Sequence, residues 1–196
     1  CAFMCVSLEF CRDNFQLLLT ILSCSPTPHI RSNIIIALAD IASCFNAVID
    51  ENVDHLYRRL SDADPMVQLN TLSIIIHLTL CGKIKVKGQL SEIAKGLTSS
   101  NTRIASITRM FFHELHQKDS NLIYNNMGDI FSCLCAAKVE QKDFDFIMKF
   151  LFTFVTQDSK RMTLLDRTLS RFNTASDVLE AERIAFTLSL IRVDNE

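Results

Sequence analysis

Hydrophobic residues recur at helical spacing along most of the chain, and one stretch shows the pattern clearly. Val53, Leu56, Tyr57 and Leu60 are spaced i, i+3, i+4 and i+7, which predicts a short helix with one apolar stripe. After the polar residues 61–64, a second helix is apolar over a wide arc, as expected where neighbours cover it on both sides. Its apolar residues are Val67, Leu69, Leu72, Ile75, Ile76 and Leu78.

Polar residues between these segments predict where the second helix begins. Asp64 suits the N-cap position, and Pro65 suits the first helical position, where its missing N–H is no loss. Thr27 and Pro28 repeat this arrangement 37 residues earlier. They precede a predicted stripe made of Ile30, Ile34, Leu38, Ile41 and Phe45.

The helix pair repeats through the chain. Ile30, Val67 and Ile104 are each 37 residues apart, and Phe144 and Ile184 continue the series if the period lengthens to 40. Later pairs are predicted at 90–97 with 102–116, 122–134 with 144–155, and 164–172 with 179–191. We therefore predict an all-α fold, a HEAT/armadillo-type α-solenoid of about five two-helix repeats that forms a single domain over residues 1–196.

Composition supports a helical chain and narrows its class. The sequence is 48% hydrophobic but has only four glycines, three prolines and no tryptophan, which leaves little of the turn chemistry of a many-stranded β fold. The first residue is Cys1 rather than Met, so we expect a fragment of a longer chain. The eight cysteines lack paired metal-ligand spacing, which predicts reduced, buried, small apolar residues in a cytosolic or nuclear protein.

One segment departs from the helical pattern. Lysines alternate with β-branched residues from Lys83 to Lys87, which taken alone predicts a strand. A phosphate-binding loop is disfavoured because Gln89, not lysine, follows Gly88. We interpret the segment as an extended connector in which Gly82 ends one helix. Ile84 and Val86 are then predicted to pack inward, with the lysines facing outward on one edge.

Charge is unevenly distributed, although the net charge is only −2. Residues 40–64 contain six acids and two arginines, whereas residues 83–109 contain six basic residues and one acid. Such an asymmetry suits either contact with phosphate or an acidic partner, or simply a solvated surface. If it binds DNA, weak and sequence-independent binding that falls with salt is expected. The candidate binding residues are Lys83, Lys85, Lys87, Lys95, Arg103, Arg109, Arg58 and Arg59.

The sequence contains one stretch that resembles a catalytic metal-binding motif, but its spacing does not fit. His113, Glu114 and His116 superficially resemble a zinc-peptidase helix, but the histidines are at i and i+3 rather than i and i+4, and no third ligand is apparent. Histidines at a helix C-terminus are also expected from the helix dipole. We predict no catalytic residue, no metal and no cofactor, which favours an interaction scaffold.

Four sequence strings in order resemble a known family. Residues 28–38, 55–60, 84–89 and 111–115 are similar to the C-terminal HEAT region of condensin complex subunit 1, the D-type non-SMC HEAT subunit of condensin. The similarity covers about residues 26–191, and because the chains of this family are far longer, it implies that this chain is a C-terminal fragment. It departs from the family pattern at Ala39, Ala47, and Gln68 with Leu69, which stand where the family has Gly, Pro and a basic pair.

The resemblance implies a non-enzymatic, regulatory role in mitotic chromosome condensation. Partners would be the condensin kleisin subunit and the SMC ATPase heads, with DNA as a further contact. The expected location is the nucleus and chromosomes, with a cytoplasmic pool. The alternative is a HEAT-repeat adaptor of nuclear transport or vesicle coats. Neither the membrane nor a small-molecule substrate is an expected partner.

Overall fold

The computed structural model describes residues 1–85, 89–172 and 178–191, and the regular structure in those ranges is entirely helical. Two short α-helices, Asp54–Tyr57 and Leu90–Ala94, each continue into a 3₁₀ turn, over Arg58–Ser61 and Lys95–Thr98. The prediction of an all-α fold is confirmed. The helices are α1 (Ala2–Val6), α2 (Leu8–Cys24), α3 (Pro28–Cys44), α4 (Asn46–Asp50), α5 (Asp54–Tyr57), α6 (Pro65–Leu80), α7 (Leu90–Ala94), α8 (Thr102–Lys118), α9 (Leu122–Ala136), α10 (Gln141–Phe152), α11 (Asp158–Phe172) and α12 (Val178–Leu190).

Ten of the described helices form five successive pairs: α2 with α3, α5 with α6, α7 with α8, α9 with α10, and α11 with α12. Second helices pack on one another, α3 on α6, α6 on α8, and α10 on α12, while the first helix α7 packs on α9. This stacking of helix pairs is the HEAT-type solenoid, so the prediction of about five repeats is confirmed. The short helices α1 and α4 were not predicted.

The predicted helix starts are observed, with one difference in chemistry. Asp64 Oδ1 accepts hydrogen bonds from the Met66 and Val67 N–H groups at 2.9 and 3.1 Å, and Pro65 is the first residue of α6. Thr27 occupies the N-cap position of α3, but its side chain makes no capping hydrogen bond. Pro28 still fixes the first turn, because its φ angle suits a helix and its missing N–H needs no partner.

Buried apolar side chains run from Met4 to Ile191 as one cluster. In the predicted stripe around α5, Val53, Leu56 and Tyr57 are buried and Leu60 is half-buried, while Val67 and Ile75 of α6 are fully buried. Burying one such side chain contributes about 1.5–3 kcal/mol. Most of these contacts join neighbouring helices and repeats, so the stability of the fold depends on stacking.

The predicted stripe of α3 is wrong at its first residue. Ile34, Leu38 and Ile41 are buried, but the Ile30 side chain is 45% exposed. The equivalent Val67 and Ile104 are buried because a preceding repeat covers that face of their helices. Within the described residues, α3 has only the pair partner α2 and the short α1 before it, which leaves Ile30 uncovered.

The prediction that the cysteines are buried is wrong for most of them. All eight are free thiols, but only Cys11 is buried, and Cys5 and Cys135 are half-buried. The rest lie at helix ends or on the outer helix faces, where a small apolar side chain is tolerated at little cost. The exposed cysteines are Cys1, Cys24, Cys44, Cys81 and Cys133.

Candidate interaction surface

The turns between helices lie at two opposite edges of the solenoid, and the candidate basic residues divide between them. At the A–B edge, the first helix of a pair passes into the second; the described turns are residues 25–27, 58–64, 95–101 and 137–140. At the B–A edge, the second helix passes to the next pair, at residues 45–53, 81–85, 119–121 and 153–157. Helix α6 joins the two edges, so its 16 residues separate them by ~24 Å.

At the B–A edge, three lysines each reach back to the preceding repeat. Two of them bind carbonyl oxygens at the C-termini of α3 and α6, where a positive charge also complements the helix dipole. These lysines therefore have a structural role in joining repeats. The bonds run from Lys83 Nζ to the Ser43 carbonyl at 3.3 Å, from Lys118 Nζ to the Leu80 carbonyl at 2.5 Å, and from Lys160 Nζ to Asn121 Oδ1 at 2.6 Å.

The connector after α6 begins as predicted. Gly82 has a φ of 68°, in the left-handed region that favours glycine. Its N–H donates to the Thr79 carbonyl at 3.0 Å, and the Lys83 N–H donates to the Leu78 carbonyl at 2.8 Å, which together form a Schellman motif. Ile84 is 3% exposed and packs inward, as expected. The predictions for Val86, Lys87 and Gly88 fall outside the described residues.

The same connector lies against the acidic stretch of the chain. The Lys85 N–H donates to Asp50 Oδ1 at 3.3 Å, and Gln89 Nε2 donates to Asp54 Oδ1 at 2.7 Å. The Lys85 side chain is exposed. The two charge windows found in the sequence are thus neighbours in the fold, and the carboxylates partly offset the positive potential of the connector.

At the A–B edge, a buried ion pair joins the first two repeats. Arg31 of α3 donates through Nε to Asp62 Oδ2 at 2.9 Å and through Nη2 to Asp62 Oδ1 at 2.7 Å, a bidentate arrangement. Arg31 Nη1 also donates to the Ser25 carbonyl at 2.9 Å. Arg31 is 9% exposed and Asp62 7% exposed. The pair therefore connects turn 25–27 to turn 58–64, with little of either side chain exposed.

The carboxyl group of Asp62 is held in its charged form. Desolvation by burial acts to raise the pKa of Asp62, but hydrogen bonds from Arg31 and from the Asp64 N–H, with the charges of Arg31 and Arg59, outweigh it. The pKa of Asp62 is therefore lowered, and the same contacts raise the pKa of Arg31. Both shifts favour the ion pair over its neutral form.

Arg58 and Arg59 lie beside this pair. Arg59 Nη1 is 3.5 Å from Asp62 Oδ2. Arg58 is exposed and has no hydrogen-bond or ion-pair partner within the described part of the chain. Both line an open pocket of about 300 Å³, together with Ser23, Ser25, Arg31, Ser61, Asp62 and Ala63. Two of the predicted binding residues thus share one concave site.

The remaining candidates lie farther along the solenoid. Lys95 Nζ is 2.6 Å from Glu92 Oε1, so its charge is largely offset, whereas Arg103 is exposed at the start of α8. The Arg109 guanidinium lies 5.8 Å from the centre of the Phe146 ring, a cation–π distance. Arg109 lines an open groove of about 440 Å³ between α8 and α10, with Lys142 also on its wall.

The window of residues 83–109 is therefore not one surface. Lys83 and Lys85 lie at the B–A edge, whereas Lys95 and Arg103 lie at the A–B edge, with Arg58 and Arg59 one repeat earlier. Charge counted along the sequence does not distinguish the two ends of a helix. The exposed candidates without a described ion-pair partner are Arg58, Lys85, Arg103 and Arg109.

A second arginine, Arg183 of α12, is buried and only 1% exposed. It was not among the residues predicted from the sequence. Its guanidinium carbon lies 4.9 Å from the centre of the Phe144 ring. It donates through Nη1 to the Leu134 carbonyl at 3.4 Å, through Nη2 to the Val139 carbonyl, and through Nε to Gln141 Oε1 at 3.3 Å. Arg183 follows Glu180 and Glu182 within α12, a pattern typical of a solvated charged face, so the sequence carried no signal that its side chain is buried.

The histidines set aside as metal ligands pack against aromatic rings. The His113 and His116 rings lie 5.1 and 5.2 Å from the centre of the Phe154 ring. In residues 1–85, 89–172 and 178–191, no group of three or more His, Cys, Asp or Glu side chains is arranged to hold a metal ion. Over the same ranges, no helix has the length and apolar character needed to cross a membrane.

Comparison with known proteins shows the family of the chain. Residues 29–189 match the family model described as non-SMC mitotic condensation complex subunit 1. The chain belongs to this condensin subunit family. Condensin complex subunit 1 of Saccharomyces cerevisiae is 41% identical over 194 residues, covering 98% of this chain and 16% of that protein.

Other condensin relatives are similarly related. The protein of Schizosaccharomyces pombe is 38% identical, covering 98% of this chain and 17% of its own length, and that of Homo sapiens is 36% identical, covering 95% and 13%. The chain thus spans between about one eighth and one sixth of the length of these curated relatives. An engineered protein of solved structure aligns with a TM-score of 0.45 at 18% identity, covering 89% of this chain and 77% of its own.

Proposed function

We propose that this chain is a non-catalytic scaffold segment of condensin that acts in mitotic chromosome condensation. The observation that carries the proposal is the family match over residues 29–189, in a chain 41% identical to condensin complex subunit 1 of Saccharomyces cerevisiae. A stacked solenoid supports it, because such folds present long surfaces to partners. The family match favours this function over a transport or coat adaptor.

The proposed partners are the condensin kleisin subunit and the SMC ATPase heads. The proposed location is the nucleus and chromosomes, with a cytoplasmic pool. Affinity purification of the tagged chain from mitotic cells should recover SMC and kleisin subunits in comparable amounts. Recovery of nuclear-transport or coat proteins in their place would contradict the proposal.

DNA is the third proposed contact, through exposed basic residues. These exposed residues lie at different places on the solenoid. Arg58 and Arg103 are at the A–B edge, Arg109 is on helix α8, and Lys85 is at the B–A edge. Lys83 and Lys95 already have partners within the chain. Contacts from separate cations to the phosphate backbone give weak binding without sequence preference.

A two-arm experiment tests the DNA contact. Charge reversal in the pair Arg58→Glu and Arg103→Glu should lower affinity for a short duplex at least several-fold and flatten its dependence on salt. The triple variant Lys83→Glu, Lys85→Glu and Lys87→Glu is the matched arm for the other edge. Unchanged affinity in both variants, measured by fluorescence anisotropy across a salt series, would refute DNA binding through these residues.

A further inference from the structure

The pocket beside the Arg31–Asp62 pair has the chemistry of an anion site. Its cationic lining consists of Arg31, Arg58 and Arg59, and its acidic lining of Asp62 alone, which leaves a net charge of +2. Three serines, Ser23, Ser25 and Ser61, add hydroxyl groups. We propose that this pocket binds the phosphoryl group of a phosphorylated serine or threonine in a peptide segment. The proposal refines the proposed function and rests on it, because it names a ligand for two of the candidate binding residues.

Donors remain available in the pocket after the ion pair is formed. A guanidinium carries five N–H groups. The described bonds of Arg31 use one hydrogen on each of its three nitrogens, to Asp62 and to the Ser25 carbonyl, which leaves one N–H on each terminal nitrogen. Arg59 makes one long contact, 3.5 Å to Asp62, and Arg58 makes none with the described residues. Forked donors of this kind bind phosphoryl oxygens in pairs.

Asp62 does not close the pocket to an anion. Its Oδ1 accepts from Arg31 Nη2 at 2.7 Å and from the Asp64 N–H at 3.0 Å, and its Oδ2 accepts from Arg31 Nε. Its side chain is 3% exposed, whereas that of Arg59 is 23% exposed. The negative charge is therefore covered by its partners, and the exposed part of the lining is cationic.

Charge and shape favour a phosphorylated side chain over a nucleic-acid backbone. A phosphomonoester carries about −1.5 to −2 charges at neutral pH, which matches the net +2 of the pocket. A nucleic-acid backbone carries one charge per phosphate and needs cations in a row. The next basic residues of this edge, Lys95 and Arg103, lie one repeat away, and Lys95 is paired with Glu92. The concave site of about 300 Å³ is therefore better suited to one discrete dianion.

The test uses a fluorescent peptide with one phosphoserine among glycines and serines, titrated with the full chain at physiological salt. The phosphorylated peptide should bind, and its unphosphorylated twin should bind at least tenfold more weakly. Arg58→Ala should weaken phosphopeptide binding about tenfold, since one charge-assisted contact is lost. Arg58→Lys should weaken phosphopeptide binding less, because lysine keeps the positive charge but lacks the paired N–H donors of the guanidinium. Inorganic phosphate should compete.

Arg103→Ala is the matched control, since Arg103 is an exposed arginine of the same edge outside the pocket. Equal binding of both peptides, or equal losses in Arg58→Ala and Arg103→Ala, would overturn the proposal. So would binding of a DNA duplex that depends on Arg58 with no binding of the phosphopeptide. Thermal unfolding should show that Arg58→Ala is folded, because the side chain is exposed.

The same variants separate this proposal from the proposed function. If SMC and kleisin subunits copurify with the chain but the phosphopeptide does not bind, only the phosphoryl pocket is refuted. If the phosphopeptide binds through Arg58 but condensin subunits do not copurify, the condensin assignment is refuted and the pocket stands as an anion site.

Discussion

The two edges of the solenoid hold successive repeats together by different means. At the A–B edge, buried arginines cross between repeats: Arg31 binds the carboxylate of Asp62, and Arg183 binds carbonyl groups of turn 137–140 and the end of α9. At the B–A edge, Lys83, Lys118 and Lys160 reach single oxygen atoms and remain half-buried or exposed.

This difference indicates where the fold is vulnerable. A buried guanidinium leaves several polar groups without partners when it is removed, so its loss is costly. An exposed lysine can be replaced by water at its acceptor, so its loss costs little. The A–B edge should therefore carry most of the polar contribution to stacking, while it also presents the open pocket around Arg58.

The largest expected effect comes from removing the guanidinium of Arg183. Arg183→Met keeps much of the side-chain volume but leaves the Leu134 and Val139 carbonyls without this donor. We expect the free energy of unfolding to fall by about 3 kcal/mol. Urea unfolding followed by circular dichroism measures the change.

Lys118→Met is the matched control at the other edge. Lys118 is exposed, and among the described residues its side chain donates to the Leu80 carbonyl alone. Its replacement should lower the free energy of unfolding by no more than about 0.5 kcal/mol. Equal losses in the two variants would show that the edges do not differ as described.

Asp62→Ala should have the next largest effect and should depend on pH. The change leaves Arg31 without its carboxylate, but the open pocket lets water reach Arg31, so we expect a loss of about 2 kcal/mol at pH 7. The folded-state pKa of Asp62 is lowered. Its contribution is therefore fully present above the unfolded-chain pKa of about 3.9 and is lost as pH falls through the folded pKa.

Unfolding of the wild-type chain and Asp62→Ala across pH 7 to 3 provides the measurement. The difference between the two should shrink at the acidic end. The penalty of Arg183→Met should change little over this range, because the oxygens that accept from Arg183 are neutral. A difference for Asp62→Ala that stays constant down to pH 3 would contradict the ion-pair account.

Effects smaller than that of Asp62→Ala are expected at the turn residues of the two edges. Gly82 at the B–A edge and Lys138 at the A–B edge both have positive φ, 68° and 50°. Lys138→Gly should stabilise the fold by about 1 kcal/mol and Gly82→Ala should destabilise it by about as much, since side chains disfavour this conformation. Thermal unfolding of both variants shows whether one change raises the stability of the fold and the other lowers it. Destabilisation by Lys138→Gly would indicate that its side chain makes a compensating contact.

Much of the fold could be predicted from the sequence because local signals decide it. The recurring caps and prolines at Thr27-Pro28 and Asp64-Pro65 placed the starts of α3 and α6, and Gly82 placed the end of α6. The apolar stripe of Val53, Leu56 and Tyr57 correctly predicted a helix with a buried face. Ile30 was misplaced because its burial depends on a neighbouring repeat, which helical periodicity within one segment does not reveal.

The site was predictable only in part. The sequence identified Arg58 and Arg59 as binding candidates but gave no sign that they share a pocket with Arg31, 27 residues earlier. The basic window from Lys83 to Arg109 spans both edges, because a helix of 16 residues carries its two ends ~24 Å apart. Contacts over about 40 residues, such as Lys83 with Ser43, depend on the superhelical stacking.

The most direct test of the central claim is affinity purification of the tagged full chain from mitotic cells, with Arg58→Glu plus Arg103→Glu and Lys118→Met measured in parallel. If the chain is a condensin scaffold, wild type and Lys118→Met should recover SMC and kleisin subunits equally. The double variant Arg58→Glu plus Arg103→Glu should still copurify with these subunits, but its affinity for DNA should fall. Absence of SMC and kleisin subunits from the wild-type purification would contradict the account.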